Sequence, residues 1–336
     1  VNLAAWKALA ARRGVDIKLN RIAWFGDSVH GITGFLNNAN ITSVTIPASV
    51  TEIRYGAFWM CTSMSEITFE TGSKLKVLGQ AAFSESGLAD VSLPDSLEII
   101  EDAALINCYY LTEIVIPDTV HTIEKNAFDH CTNLQNVRFP SGLKKIGSMA
   151  FTACNSFTEI NLPAGVTEIG DMAFGYNPGL TEIILPESVV SLGNNAFTNC
   201  TRLKKVSLPD GVTSLSRGLF SYCTALTDIR LPAAVTYVGD NAFSGCASLT
   251  AIFLPDTVTQ MGDHIFNGCT SLTTFTYPPQ ITEIGVNHFT DCKSLTEVVI
   301  SESTTTVSHA FWNCTSLKSI HIPASVTELS GIAFEG

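Results

Sequence analysis

The chain has 336 residues, of which 46% are apolar and 15% are charged, and its formal net charge at pH 7 is −12. This composition excludes a disordered chain, because disordered segments combine low hydrophobicity with high charge. The chain has no run of Lys or Arg, and no apolar stretch approaches the roughly 20 residues of a membrane-spanning helix. We therefore expect no nucleic-acid partner and no membrane insertion.

Residues 1–40 differ from the remainder of the chain. Alanines and leucines around Trp6 predict a short helix that ends near Gly14, and the pattern of apolar residues from Leu19 to Phe35, followed by Asn38, fits a degenerate first turn. An atypical terminal unit of this kind covers the open apolar edge of a repeat stack. We therefore interpret residues 1–40 as a cap. A membrane-surface helix is the alternative, which the small alanines and the few basic residues disfavour.

Residues 41–336 form thirteen repeats, the last of them incomplete, with a spacing of about 23 residues that is typical of a solenoid. The repeats open at Ile41, Met64, Leu88, Leu111, Leu134, Phe157, Leu180, Leu203, Leu226, Leu249, Leu272, Leu295 and Leu317. Within each repeat, positions are counted here from this opening residue. Identical positions of successive repeats should stack into columns, with the strands of neighbouring turns paired in a parallel sheet.

The repeat that opens at Leu111 shows the predicted elements. Apolar residues alternate up to Ile116, which predicts a short strand, and Pro117 ends this strand because proline has no backbone N–H to donate. A Val-x-x-Ile segment then predicts a second short strand. The Ala-Phe-x-x-Cys segment that follows has the spacing of a helical turn.

The repeat reads L-x-x-I-x-I-P-x-x-V-x-x-I-G-x-x-A-F-x-x-C-x-x, and over residues 41–336 it resembles the BspA-like (Treponema pallidum-type) leucine-rich repeat family. The resemblance implies a repeat solenoid, a right-handed leucine-rich-repeat arc with a parallel β-sheet on one face. The other face would carry short turns, 3-10 segments or second short strands. The resemblance also implies an extracellular or cell-surface location and a role in adhesion, with no catalytic motif and no cofactor.

Two repeats depart from this pattern, and we expect local irregularity in both. Between Met64 and Gly87 there is no cysteine, and residues 70–73 replace the proline turn, whereas the repeat at residues 301–302 lacks its proline. The pattern stops midway at Gly336, from which we expect a fragment of a longer protein. We also expect a monomer with weak end-to-end association through the open edge of residues 317–336.

Ten cysteines recur three residues after the conserved Phe position, which is Leu in one repeat. Stacked cysteines would have parallel Cα–Cβ bonds, which does not suit disulfide geometry, and zinc sites need Cys-x-x-Cys pairs or histidine partners. We expect reduced, buried thiols that pack as small apolar groups. Asn177 stands at the same position in one repeat and predicts a polar contact with the backbone of the turn.

Two polar columns could hold a metal ion. His264, His288 and His309 fall on three consecutive repeats, and imidazole is a common metal ligand, but we favour surface histidines because their positions within the repeat differ. Carboxylates recur at the third position and could hold calcium, but no calcium-binding loop accompanies them, so we favour exposed strand carboxylates. These are Glu66, Asp90, Glu113, Glu159, Glu182, Asp228 and Glu297. We expect no metal site.

The fifth position varies more than the interior positions, and its side chains should point outward from the first strand. Scattered exposed apolar residues are normal, but aromatic and arginine side chains together often dominate the binding energy of interfaces. The candidate binding residues at this position are Ile184, Arg230, Phe253, Val299, Arg138 and His321.

We interpret the chain as a non-enzymatic module, secreted or on a cell surface, that presents its strand face to a protein or glycan ligand such as a host extracellular component. A structural spacer that holds other domains away from a cell surface is the alternative. An enzyme ranks third, because no nucleophile elbow, phosphate loop or other catalytic motif occurs.

Overall fold

The computed structural model of the protein describes residues 26–27, 32–33, 39–330 and 333–334. The chain divides into two compact units, Val1–Ser156 (unit 1) and Phe157–Gly336 (unit 2). The helix that the sequence predicts at the N-terminus lies outside the described residues. In the described part of residues 1–40, strands β1 (Gly26–Asp27) and β2 (Ile32–Thr33) pair antiparallel.

Unit 1 is a repeat solenoid in which most turns contribute a first strand and a shorter second strand. The first strands are β3 (Ser43–Ile46), β5 (Glu66–Phe69), β7 (Asp90–Ser92), β9 (Glu113–Val115) and β11 (Asn136–Arg138). The second strands are β4 (Glu52–Ile53), β6 (Val77–Leu78), β8 (Ile99–Ile100), β10 (Thr122–Ile123) and β12 (Lys145–Ile146). Both sets pair in parallel, with β3 beside β5, β7-β9-β11 in one sheet, and β4-β6-β8-β10-β12 in another.

Unit 2 repeats this architecture. The first strands are β14 (Glu182–Ile184), β16 (Lys205–Ser207), β20 (Thr274–Thr276) and β22 (Glu297–Val299). The second strands are β13 (Glu168–Ile169), β15 (Ser191–Leu192), β17 (Ser214–Leu215), β18 (Tyr237–Val238), β19 (Gln260–Met261), β21 (Glu283–Ile284), β23 (Thr306–Val307) and β24 (Glu328–Leu329). Parallel pairing joins β14 with β16, β20 with β22, β13 with β15, β17-β18-β19, and β21-β23-β24. The predicted solenoid, with a parallel sheet and second short strands, is confirmed.

A column of stacked phenylalanines fills the interior of each unit. In unit 2 the rings of Phe174, Phe197 and Phe220 are fully buried, and their centroids lie 5.8–5.9 Å apart in stacked pairs. Stacking continues through later turns at similar distances. Because each ring packs on the turns before and after it, the stability of a turn depends on its immediate neighbours.

The Ala-Phe-x-x-Cys segment is a turn, and no described residue belongs to a helix. Around Phe128, the φ angles of Asn126 and His130 are +58° and +59°, a left-handed pair that recurs two residues before and after the buried aromatic position in most turns. The N–H groups of Asn126, Phe128 and His130 donate to carbonyls of the following turn at 2.8–2.9 Å. Asn and Gly recur at these places because they adopt this conformation at least cost.

The glycine that follows the second strand has a different purpose. Gly193 does not have a positive φ, but a Cβ added there would lie 2.3 Å from the backbone nitrogen of Asp171 in the preceding turn. Its role is therefore to let two turns approach closely. This agrees with the expectation that a positive φ is not required at this column.

Candidate functional site

The fifth positions of six consecutive repeats in unit 2 form the surface that we call the strand face, made of Ile184, Ser207, Arg230, Phe253, Thr276 and Val299. Arg230 forms an isolated bridge and Phe253 lies outside the strands, whereas the other four residues belong to first strands. Phe253 is 84% exposed and Ile184 63%, whereas the residues that flank them along the chain are largely buried. For Ile184 the alternation of strand β14 produces this pattern, since successive side chains point to opposite faces. Phe253 shows the same alternation of exposed and buried neighbours at the equivalent position of its repeat, although no strand is formed there.

Pairing fixes which of these residues are neighbours. Ile184 lies opposite Ser207, Ser207 pairs with Arg230, and Thr276 lies opposite Val299. Phe253 occupies the repeat between Arg230 and Thr276. With a spacing of about 4.8 Å per turn, Ile184 and Phe253 are about 15 Å apart.

The other two predicted binding residues are also exposed. Arg138 is exposed at the end of β11 in unit 1, where it pairs in register with Val115. His321 is exposed in the last repeat of unit 2.

A shallow groove of about 540 Å³ borders the strand face at the proline turns of unit 2. Its polar lining comes from Glu187, Ser207, Asp210 and Arg230. The ion pairs found among the described residues join other side chains, all in unit 1, so the guanidinium of Arg230 is available to a ligand. An available arginine beside an exposed aromatic ring matches the composition of residues that dominate protein interfaces.

Unit 2 is strongly acidic, with sixteen Asp or Glu against seven Lys or Arg in its sequence. Four of these basic residues, Arg202, Lys204, Lys205 and Arg230, fall in three consecutive repeats and are exposed. Lys205 lies opposite Glu182 in the paired strands, so carboxylates of the third position partly balance the cluster. A partner would therefore meet both signs of charge on this face.

The predicted thiol column is confirmed. All ten cysteines are free and buried. Thiols of this column donate hydrogen bonds to a backbone carbonyl of the preceding turn, that of the residue at the buried aromatic position. Cys200 donates to Phe174 at 3.3 Å, and Cys223 donates to Phe197 at 3.2 Å. Burial raises the pKa of the Cys200 thiol to about 12, so at neutral pH it is neither a nucleophile nor a metal ligand. Asn177 makes the predicted backbone contact, donating through Nδ2 to the Phe174 carbonyl at 2.9 Å.

The interpretation of His288 as a surface residue is wrong. His288 is fully buried, while His264 and His309 are partly exposed. Its imidazole bonds to Tyr277, which is itself 3% exposed. Sequence reasoning missed this pair, although a signal was present: both residues are polar at columns that hold only apolar residues in the other repeats.

The third-position carboxylates are exposed, as predicted. Across residues 39–330 and the other described positions, no three His, Cys, Asp or Glu side chains are grouped so as to hold a metal ion. Within the same described part of the chain, no helix is long and apolar enough to cross a membrane.

Comparison with known proteins agrees with this architecture. A family model described as the BspA type leucine rich repeat region matches residues 31–155, 99–227 and 213–336. A second model, of a major capsid protein, matches residues 1–54. No curated protein sequence matches the chain.

Two solved structures with TM-scores above 0.5 show the same fold. A leucine-rich repeat protein from Bacteroides ovatus is 24% identical with a TM-score of 0.62, and the match covers 88% of this chain and 85% of that one. The pneumococcal vaccine antigen PcpA is 22% identical with a TM-score of 0.57, covering 91% and 77% respectively. The leucine-rich repeat protein of T. pallidum is 35% identical over 48% of this chain and 78% of that chain, with a TM-score of 0.45. Since the family model covers nearly all of the sequence from residue 31 onwards, the chain belongs to the BspA-type leucine-rich repeat family.

Proposed function

We propose that this chain is a non-enzymatic binding module, secreted or held on a cell surface, that presents the strand face of unit 2 to a protein or glycan. Membership of the leucine-rich repeat family supports a protein-binding role, and the cell-surface location is what the family resemblance implies. The observation that carries the proposal is Phe253, an aromatic side chain that is 84% exposed at the fifth position of the repeat after that of Arg230.

Exposing an aromatic side chain such as Phe253 to water is unfavourable, and a partner that covers the ring removes this cost. Burying a phenylalanine against a partner contributes about 1.5–3 kcal/mol, and clustered aromatic and arginine anchors carry most of the energy of typical interfaces. The interior columns of the solenoid do not require Phe253, because its ring points outward. A partner that covers Phe253 and Ile184 would gain this energy and could pair an acidic or polar group with Arg230.

The test compares two matched double variants. Phe253→Ala/Arg230→Ala removes the anchor of the strand face, whereas Tyr237→Ala/Arg217→Ala removes an exposed aromatic residue and an exposed arginine elsewhere in neighbouring repeats. Binding is measured on immobilised extracellular proteins and on a glycan array. We expect the first variant to bind at least about tenfold more weakly, equivalent to about 1.4 kcal/mol, with an unchanged thermal transition.

Two results would contradict the proposal. An equal loss of binding in the control variant would show that the strand face is not the binding surface. Unchanged binding in both variants, or no binding by the wild-type protein to any immobilised partner, would favour the spacer. The fifth position of unit 1 fits a spacer better, since it is mostly polar and the hydroxyls of Thr45 and Thr68 bond to each other at 3.0 Å.

A further inference from the structure

The repeat from Leu272 to Ser294 carries the polar members of two interior columns. The sixth position is Ile, Leu or Phe in the other repeats and Tyr277 here, and the position before the buried aromatic residue is Ala, Leu or Ile elsewhere and His288 here. Tyr277 is 3% exposed and His288 fully buried. Both substitutions occur in one repeat, and the two side chains meet, so they act as a pair.

The hydrogen bonds of the pair favour one form of His288. Its Nε2 lies 2.7 Å from the carbonyl oxygen of Gly262 in the preceding turn, and its Nδ1 lies 3.0 Å from the hydroxyl of Tyr277. A carbonyl can only accept, so Nε2 carries the proton and donates. Nδ1 of the neutral ring then accepts the hydroxyl proton of Tyr277. In a charged imidazole Nδ1 would donate to the Tyr277 oxygen instead, and the buried hydroxyl proton of Tyr277 would lose the acceptor that it has here. The native arrangement therefore favours a neutral imidazole.

The surroundings of His288 favour this neutral form. Phe289 packs edge-on to both rings of the pair, and Phe275 packs edge-on to Tyr277. Gly285 leaves room for the imidazole, because a Cβ there would lie 2.9 Å from Nε2. No hydrogen bond or ion pair described here joins His288 to a carboxylate, and burial lowers the pKa of His288 to about 4.

The titratable groups around the pair do not reverse this preference. Asp263 and His264 act on His288 from the preceding turn with opposite signs, and the neutral thiols of Cys292 and Cys314 lie near Tyr277. Asp263 favours the charged imidazole, but its Oδ1 already accepts the N–H of Val286 at 2.8 Å. The Gly262 carbonyl and Asp263 both favour the charged form of His288, but burial outweighs them and the pKa of His288 is lowered.

Tyr277 connects this interior pair to the strand face. It directly follows β20, and its backbone N–H donates to the carbonyl of Val299 at 3.0 Å. β20 and β22 pair in parallel, and their outward ends are Thr276 and Val299. Any movement of Tyr277 therefore disturbs the pairing that positions these two residues of the strand face.

We propose that the Tyr277–His288 pair is an acid-sensitive latch, in which protonation of His288 opens the repeat from Leu272 to Ser294 and loosens the strand face at Thr276 and Val299. The opening of the repeat does not depend on the proposed function. Its effect on binding does, because the strand face is the proposed binding surface. A binding module of this kind would hold its partner at neutral pH and release it under acidic conditions.

The expected magnitude follows from proton linkage. An opened, solvated histidine has a pKa of about 6.5 and the buried one a pKa of about 4, so the open state binds more protons between these values. Stability therefore falls as the pH decreases through this window. The opening equilibrium should be about 25-fold larger at pH 5 than at pH 7.

Hydrogen exchange of the wild-type protein without any partner tests the latch. Peptides from residues 272–300 are compared with peptides from residues 180–210 of the same unit at pH 7 and pH 5, after correction for the intrinsic pH dependence of exchange. The control variant Tyr277→Leu/His288→Ala restores residues that other repeats carry at both positions. We expect acid-promoted opening of residues 272–300 in the wild-type protein only.

Equal acid sensitivity of the two proteins, or none in the wild type, would overturn the latch. Nuclear magnetic resonance of the His288 ring nitrogens provides a second measurement on the wild-type protein alone. The spectra should show the Nε2–H form of His288 at pH 7, and the ring should become protonated only as residues 272–300 open. Protonation of the ring without this opening would also overturn the latch. Neither measurement needs a ligand, so the absence of a binding partner would count against the proposed function and leave this test valid.

Discussion

Replacing Phe197 with Ala should destabilise unit 2 by about 3–5 kcal/mol, the range for removing a buried aromatic ring and leaving a cavity. The magnitude follows from its surroundings. Phe197 is fully buried, and its ring stacks on those of Phe174 at 5.9 Å and Phe220 at 5.8 Å. Each aromatic pair contributes about 0.5–1.5 kcal/mol beyond area burial, so both contacts are lost together.

Phe197→Leu is the matched control, because the equivalent position of another repeat already carries Leu105, which is fully buried. Leucine keeps most of the volume and loses the stacking, so we expect a cost of about 1–2 kcal/mol. Urea unfolding followed by circular dichroism measures both differences. A cost below about 1 kcal/mol for the alanine variant would refute the argument that the ring column stabilises the unit.

The location of the damage is a second test of the same variant. Repeats contact only their neighbours, so hydrogen exchange in Phe197→Ala should accelerate first in the adjacent strands β15 and β17. Strand β23, several repeats away, should keep its protection under the same conditions. Uniform acceleration across unit 2 would show that the stack unfolds as one cooperative block, contrary to nearest-neighbour coupling.

Three further predictions concern the turns and the thiols. Asn241 has a φ of +57°, so Asn241→Val should cost at least about 1 kcal/mol more than Asn241→Gly in thermal unfolding, and equal costs would contradict a left-handed requirement. Burial raises the pKa of Cys200 and Cys269 to about 12, and unfolded thiols ionise near pH 9, so stability should fall as the pH rises from about 9 to 12. Cys200→Ala/Cys269→Ala should show a shallower alkaline decline in its urea midpoint, and an unchanged slope would exclude these thiols as the cause. A thiol reagent should modify native protein slowly and all ten cysteines after denaturation; fewer than about six reactive thiols without reductant would indicate disulfides.

The strands and the core were predictable because the same evidence recurs in every repeat. A single Ile-x-Ile-Pro segment is weak evidence for a strand, but the proline that follows it in most repeats marks the end of the first strand at one fixed place. The buried thiols were predictable for a related reason. Parallel stacking places equivalent side chains side by side, which excludes the geometry of a disulfide and leaves a column of small apolar groups.

The left-handed turns were not predictable from hydrophobic spacing. Ala-Phe-x-x-Cys has the three-residue spacing of a helical turn, and periodicity does not report the sign of φ. The relevant signal was the recurrence of Asn and Gly two residues before and after the buried aromatic residue, as at Asn195, Asn199 and Gly245. In the structure, alternate N–H groups of these segments donate to the next turn, which a helix does not allow, while the N–H groups between them donate within the segment to the third residue before.

The burial of His288 shows how an isolated polar residue misleads. Considered alone, a histidine between acidic repeats favours the surface, because unpaired polar groups are expensive to bury. Its partner Tyr277 lies eleven residues earlier, and no local motif joins the two. Only the comparison of each column across all repeats reveals that both positions change together in the same turn.

The same comparison indicates where a chain of near-identical turns can carry its specificity. The interior columns are constrained by stacking, so a change there costs stability unless a neighbouring change compensates for it, as Tyr277 does for His288. The outward positions have no such constraint, and one of them carries the exposed ring of Phe253. Phe253 and Tyr277 lie in consecutive repeats, one outside and one inside the stack. If the strand face binds a partner, its affinity therefore comes from Phe253 and its response to acid from the Tyr277–His288 pair in the next repeat. Substituting Phe253 would remove the first property without the second, and substituting the pair would remove the second without the first.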